Sequence, residues 1–201
     1  MLSIDINLVL VLALQIFAIM DPLAAVPTLL DVMSGLPETE RKRLVNRAAG
    51  AVFILLTIFT IAGGYILMVF GISIAAFKVA AGVVLMAIAI DMLITGHKPE
   101  KIEVGTYIIV PIATPLIVGP GTMTLLITSA RIYGILNTLI AAYIAFAATY
   151  VILRTAHTVA RLAGETFIHG LGRFMALIVA SFAVEMFGEG IKEYIHELGL
   201  R

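Results

Sequence analysis

The sequence predicts an all-α membrane protein: six transmembrane helices in two inverted repeats of three, with helices 1 and 4 broken. Three observations carry this expectation. Hydrophobic residues make up 61% of the 201-residue chain, charged residues 13%, and the mean hydropathy is +1.10; a water-soluble domain carries roughly 25% charged side chains. Windows free of charge, long enough to cross a hydrocarbon core of about 30 Å, recur along the chain. A proline motif also appears twice, as Asp21-Pro22-Leu23-Ala24-Ala25-Val26-Pro27 and as Thr114-Pro115-Leu116-Ile117-Val118-Gly119-Pro120, 93 residues apart.

The spans follow in order. The first covers about residues 6–30, interrupted only by Asp21, and reads as a retained helix because the N-terminus lacks a basic region and a small-residue cleavage pattern. A polar stretch containing Glu38, Glu40, Arg41, Lys42, Arg43 and Arg47 follows it. The second helix is expected over about 46–70, a turn at Gly71-Ile72-Ser73, and the third helix over about 74–96. Residues 97–103 form a polar loop. The fourth helix, about 106–130, is broken by its prolines. The fifth covers about 135–160, the sixth about 172–190, and residues 191–201 read as a short amphipathic tail. Small residues support close packing: Ala76, Ala80, Ala81 and Gly82 in the third helix, and Ala141, Ala142, Ala145, Ala147 and Ala148 in the fifth.

The chain thus forms one transmembrane domain, with repeat 1 over about 1–96 and repeat 2 over about 104–190. Asp91-Met92 and Glu185-Met186 recur at an offset of 94, close to that of the proline motifs. Three helices per repeat force the halves into opposite orientations. Arg41, Lys42, Arg43, Arg47, Lys98, Lys101, Arg154, Arg161 and Arg173 fall on one side, against Lys78, Arg131, Lys192 and Arg201 on the other. That bias places both termini outside the cytoplasm of a cell (inner) membrane.

Chemistry is expected at the breaks. Asp and Thr are good N-caps, and proline suits the first helical position, so Asp21-Pro22 and Thr114-Pro115 each read as the start of a half-helix in mid-membrane. Pro22 and Pro27 should free the carbonyls of Ala18 and Leu23, and Pro115 and Pro120 those of Pro111 and Leu116. Gly119-Pro120-Gly121-Thr122 favours an unwound segment. Half-helix N-termini attract a carboxylate, and Asp21 attracts an ammonium group or a coupling cation, a combination that suits a zwitterion. Ala24, Ala25, Gly119 and Gly121 leave room beside the backbone. Asp91 and Glu185, near the ends of matching helices, are secondary candidates for ion or proton coupling, or charge partners for Arg47 or Arg154. Gln15 and Asn46 are expected to bond across the bundle. His97, His157, His169 and His196 show no metal-ligand spacing, and no nucleotide-binding or nucleophile motif is present, so no cofactor, metal, nucleic acid or enzymatic reaction is expected.

These residues resemble a known family. Met20 to Pro27 resembles the [ND]-P-[IL]-x-x-x-P signature of the MarC-type membrane proteins, with Ala24 where glycine is frequent. Pro111 to Gly121 resembles that family's P-x-A-x-P-x-x-x-G-P-G segment, and Phe77 to Met92 also fits. The resemblance implies six transmembrane helices and, for SnatA-like members, transport of small neutral amino acids such as glycine and alanine. The resulting expectation is a secondary transporter working by alternating access, coupled to H+ or Na+, alone or as a homo-oligomer. Its substrate would be held by Asp21, Pro22, Ala24, Ala25, Thr114, Pro115, Gly119, Pro120, Gly121 and Thr122. A channel or exporter for other small polar solutes is the alternative, since it needs the same broken helices.

Overall fold

A computed structural model describes residues 4–95 and 117–199, and every regular element among them is a helix. Helix α1, Ile6–Met20, opens with Asp5, whose side chain accepts the Leu8 amide. It stops at Asp21, and α2 resumes over Ala25–Val32. The expected first span is therefore two helices.

A turn through Gly35 leads to α3, Glu38–Val69. This helix starts well before the expected position 46. The polar stretch there is the helix's own first turns: Glu38 and Glu40 lie at the positive end of the dipole, and Glu38 pairs with Lys42 at 2.6 Å. Its C-terminus is a Schellman turn: Gly71, at φ 66°, donates to the Met68 carbonyl, and Ile72 donates to that of Leu67. The turn expected at 71–73 is thus present. Ser73 then accepts the Ala76 amide and starts α4, Ile74–Thr95.

Helix α5, Pro120–Tyr133, has Gly119 as its N-cap and proline at N1. Gly134, at φ 86°, turns the chain into α6, Ile135–Arg154. The fifth span does not run to 160. It stops at Thr155, and a short α7, Ala156–Ala163, leads to Gly164 and α8. Helix α8 is a single element, Glu165–Glu197, so residues 191–197 continue the helix rather than forming a separate tail. Charge-free windows underestimate a helix whose acids lie at its surface or find partners.

Among the described residues, four segments are long and apolar enough to cross a membrane: Glu38–Val69, Ile74–Ile94, Ile135–Arg154 and Gly172–Glu197. Their outward residues are apolar as well, for example Tyr65, Met68, Val69 and Ile94. Lipid as solvent accounts for that surface.

The buried residues form two groups. The larger draws on α1, α2, α3, α5, α6 and α7, with Leu12, Ile16, Met20, Val52, Leu56, Leu126 and Leu153 among its members. Across α3 and α6, Phe53 stacks on Tyr143, the Tyr143 hydroxyl meets that of Thr57, and Tyr150 donates to Asn46. Arg154 also donates to Asn46, so the expected cross-bundle role of Asn46 is met. Gln15 is half-buried on α1. The smaller group is Leu85, Ala89, Val179 and Ala183, between α4 and α8. Those two helices touch at glycines. A Cβ on Gly82 would stand 2.8 Å from the Ala183 carbonyl oxygen, and one on Gly190 2.8 Å from the Val79 nitrogen. As the α4 position falls from 82 to 79 its α8 partner rises from 183 to 190, so the pair is antiparallel. Of the alanines expected at packing faces, Ala81, Ala141, Ala142 and Ala145 are buried, whereas Ala80, Ala147 and Ala148 point outward.

Candidate functional site

The first break is organised by one side chain. Asp21 has φ 39° and ψ 59°, the left-handed region, and is the one non-glycine residue with positive φ among the described residues. Most L-residues lose about 1–2 kcal/mol there, which Asp and Asn offset through local hydrogen bonds. Its amide donates to the Phe17 carbonyl and closes α1, while its Oδ1 accepts the Ala24 amide at 3.3 Å. Asp21 therefore ends one helix and caps the turn into the next. It is thus the C-cap of α1 rather than the expected N-cap of a helix starting at Pro22, and α2 begins only at Ala25, after a turn over residues 22–24. The Leu23 carbonyl, expected to be freed by Pro27, accepts the Val26 amide instead.

The second carboxylate oxygen, Oδ2, is buried and has no hydrogen-bond partner, and the residue as a whole is 6% exposed. A carboxylate in mid-membrane costs roughly 2.5–3.5 kcal/mol on insertion scales, and an unpaired oxygen adds to that. Pro22, Ala24 and Ala25 are buried around it. Ala25 belongs to the large apolar group, so its small side chain serves packing here.

The second break is organised by backbone. Gly119 is extended, at φ −86° and ψ −177°, and offers no side-chain cap. Pro120 has no amide to lose at N1, and the first bond of α5 runs from the Met123 amide to the Gly119 carbonyl. The amides of Gly121 and Thr122 thus have no partner in their own helix. The Thr122 hydroxyl reaches back across the break to the Ile117 carbonyl at 3.2 Å, and Thr124 bonds the Pro120 carbonyl at 2.8 Å. Ile117, Val118, Gly121, Thr122 and Thr124 are all buried. Thr114 and Pro115 lie outside the described residues.

Met20, Ala25 and Val26 of the first break share one buried apolar group with Ile117 and Val118 of the second. The space in front of Gly121 is filled by the Leu85 side chain of α4. Asp91 and Glu185 stand apart on exposed faces of α4 and α8. Arg154 donates instead to Asn46 and to the Tyr150 hydroxyl.

One cluster escaped the sequence reading. Lys78, nearly fully buried one turn inside α4, donates to Glu193 at 2.7 Å and Glu189 at 3.2 Å, both on α8. The signal was available: a lysine inside an apolar span needs a counter-charge, and Glu189 and Glu193 share one helical face.

A model of the MarC family integral membrane proteins matches residues 6–195, nearly the whole chain. The chain belongs to the MarC family. Relatives of similar length agree. A UPF0056 membrane protein of Methanocaldococcus jannaschii is 32% identical over 89% of this chain and 93% of its own length. One of Pyrococcus horikoshii is 33% identical over 88% and 90%, and the YvbG protein of Bacillus subtilis 29% over 89% and 92%. No solved structure matches. Membership makes this chain an integral, multi-pass membrane protein; the relatives' names assign no substrate.

Proposed function

We propose that this MarC-family chain is a secondary transporter, not an enzyme, for small neutral amino acids of the glycine and alanine class. Its substrate site lies where the two breaks meet. The observation that carries the reading is the Asp21 Oδ2 oxygen, buried, unpartnered and held at a helix break. A fold retains such a group when something else completes it, and an ammonium or coupling cation does so. The amides at the start of α5, without partners in their own helix, supply the complementary pole for a carboxylate. A zwitterion satisfies both.

The same reading takes the chain as six spans in two inverted repeats, with both termini on the extracytoplasmic side of the cell membrane. The antiparallel α4–α8 pair supports this reading, since such repeats bring their third helices together in opposite directions, as does the recurrence of the proline motif at corresponding places in the sequence. Arg41, Lys42, Arg43, Arg47, Arg154 and Arg161 favour the cytoplasm at their end. The small α4–α8 core, separate from the main one, provides a body that moves against the rest during alternating access, driven by an H+, Na+ or substrate gradient.

Uptake of labelled glycine into proteoliposomes tests the proposal. Saturable uptake competed by alanine supports it. Flux that neither saturates nor is competed identifies a channel, and wild-type uptake equal to protein-free liposomes removes the reading.

A further inference from the structure

We propose that the seam between α4 and α5 is the access route from the α8 C-terminal end of the bundle to the second break, and that Leu85 closes it. This rests on the transporter reading and adds the path that substrate takes.

The register of the two helices lays out the route. Leu85 meets Gly121 at the break, while Lys78 and Thr128 meet at a cleft of about 1020 Å³. Seven residues down one helix match seven up the other, so the cleft and the break are two turns apart, about 10 Å. Gly121, Thr124 and Thr128 fall on one face of α5 along that line.

The outer cleft suits a zwitterion. Its wall carries the Lys78 ammonium and the carboxylates of Glu189 and Glu193, within bonding distance of one another, with Arg131 beside them. The Thr128 hydroxyl oxygen is buried in that wall without a partner. Both signs of charge thus stand at the outer end of the α4–α5 seam, with an unsatisfied hydroxyl just beneath them.

Two kinds of tight glycine contact show why the closure is a gate. At Gly82 and Gly190 the opposing atoms include backbone, the Ala183 carbonyl and the Val79 nitrogen, which do not yield without moving a helix. At Gly121 the nearest atoms are Cδ1, Cδ2 and Cγ of one leucine. The far end of a leucine moves by rotation about its own bonds, on a time scale far shorter than helix motion. Swinging Leu85 aside opens the side of Gly121 at the second break.

The sequence has no cysteine, so single cysteines report accessibility directly. Thr124→Cys and Arg131→Cys are placed separately in the full chain, with and without Leu85→Ala, in proteoliposomes. A membrane-impermeant methanethiosulfonate is the probe. Arg131→Cys, exposed in the cleft wall, is expected to react readily in both backgrounds, and an unchanged melting temperature reports that the bundle is folded. Thr124→Cys is expected to react slowly with Leu85 present and at least about 10-fold faster with Leu85→Ala. Should Leu85→Ala unfold the bundle, Leu85→Val replaces it with the same readings. A Thr124→Cys rate indifferent to residue 85, or an unreactive Arg131→Cys in the Leu85 background, overturns the route. Labelling requires no transport. The expected labelling without glycine uptake therefore overturns the transporter reading alone, and uptake with flat labelling overturns the route alone.

Discussion

The two breaks solve the same problem with different chemistry. At the first, a carboxylate does the work: Asp21 takes the left-handed conformation, closes α1 and caps the turn toward α2. At the second, Gly119 and Pro120 set the geometry by backbone alone, and a hydroxyl, that of Thr122, ties the ends together. The charge sits in one copy of the motif only. On the proposed reading, a duplicated motif has thus become a site with two unlike poles, one acidic and one made of amides. A symmetric pair of acids would bind cations; this pair suits a molecule carrying both signs.

The sharpest way to break that comparison is Asp21→Asn. Asparagine tolerates the left-handed region and keeps an Oδ1 acceptor for the Ala24 amide, so both structural roles survive. Only the charge is lost. A hydrogen bond to a charged group contributes about 1.5–3 kcal/mol, so glycine uptake should fall by about 10- to 100-fold while the melting temperature in detergent changes little. Uptake at the wild-type rate would take Asp21 out of the substrate site.

Asp21→Ala adds the structural loss to the functional one. Alanine has no cap and a poor left-handed conformation, and about 2 kcal/mol of stability should go. Comparing thermal unfolding of the Asn and Ala variants separates the carboxylate's charge from its geometry. Equal melting temperatures would mean that the break holds itself without the side chain.

Thr122→Val probes the other break. The substitution keeps shape and removes the hydroxyl that spans from α5 to the Ile117 carbonyl. About 1 kcal/mol of stability should be lost, less than for Asp21→Ala, because the backbone still sets the turn. A loss as large as that of Asp21→Ala would show that the hydroxyl, not Gly119-Pro120, holds the second break.

How much of this was legible in the sequence follows the same division. Breaks are written in residue types with special backbone behaviour, so Asp21 and Gly119-Pro120 marked themselves. The Gly71 turn did so for the same reason. Helix ends in charged surroundings did not: α3 begins at Glu38 and α8 runs to Glu197 because surface charges are compatible with helix, whereas charge-free windows stop at them. The expectation that Gly121 leaves room for a ligand is met in the backbone but filled by Leu85, a partner from another helix that no local pattern names. Lys78 likewise needed the α4–α8 register before its two glutamates could be identified. Local chemistry is readable residue by residue; partners across a helix interface require the packing.

The smallest effect on stability is also the most discriminating. Gly119 already has the extended backbone of an N-cap, and its φ of −86° admits any residue. Gly119→Ser would add an oxygen able to accept the Gly121 or Thr122 amide, with a gain over glycine of only a few tenths of a kcal/mol. That oxygen would occupy the donors that the proposed carboxylate contact uses. Stability and transport should therefore move in opposite directions: a slightly higher melting temperature, and a KM for glycine raised by a few-fold as the substrate competes with an internal cap. A rise in melting temperature with unchanged KM would show that the amides at the start of α5 do not meet the substrate, and would leave Asp21 as the only pole of the site.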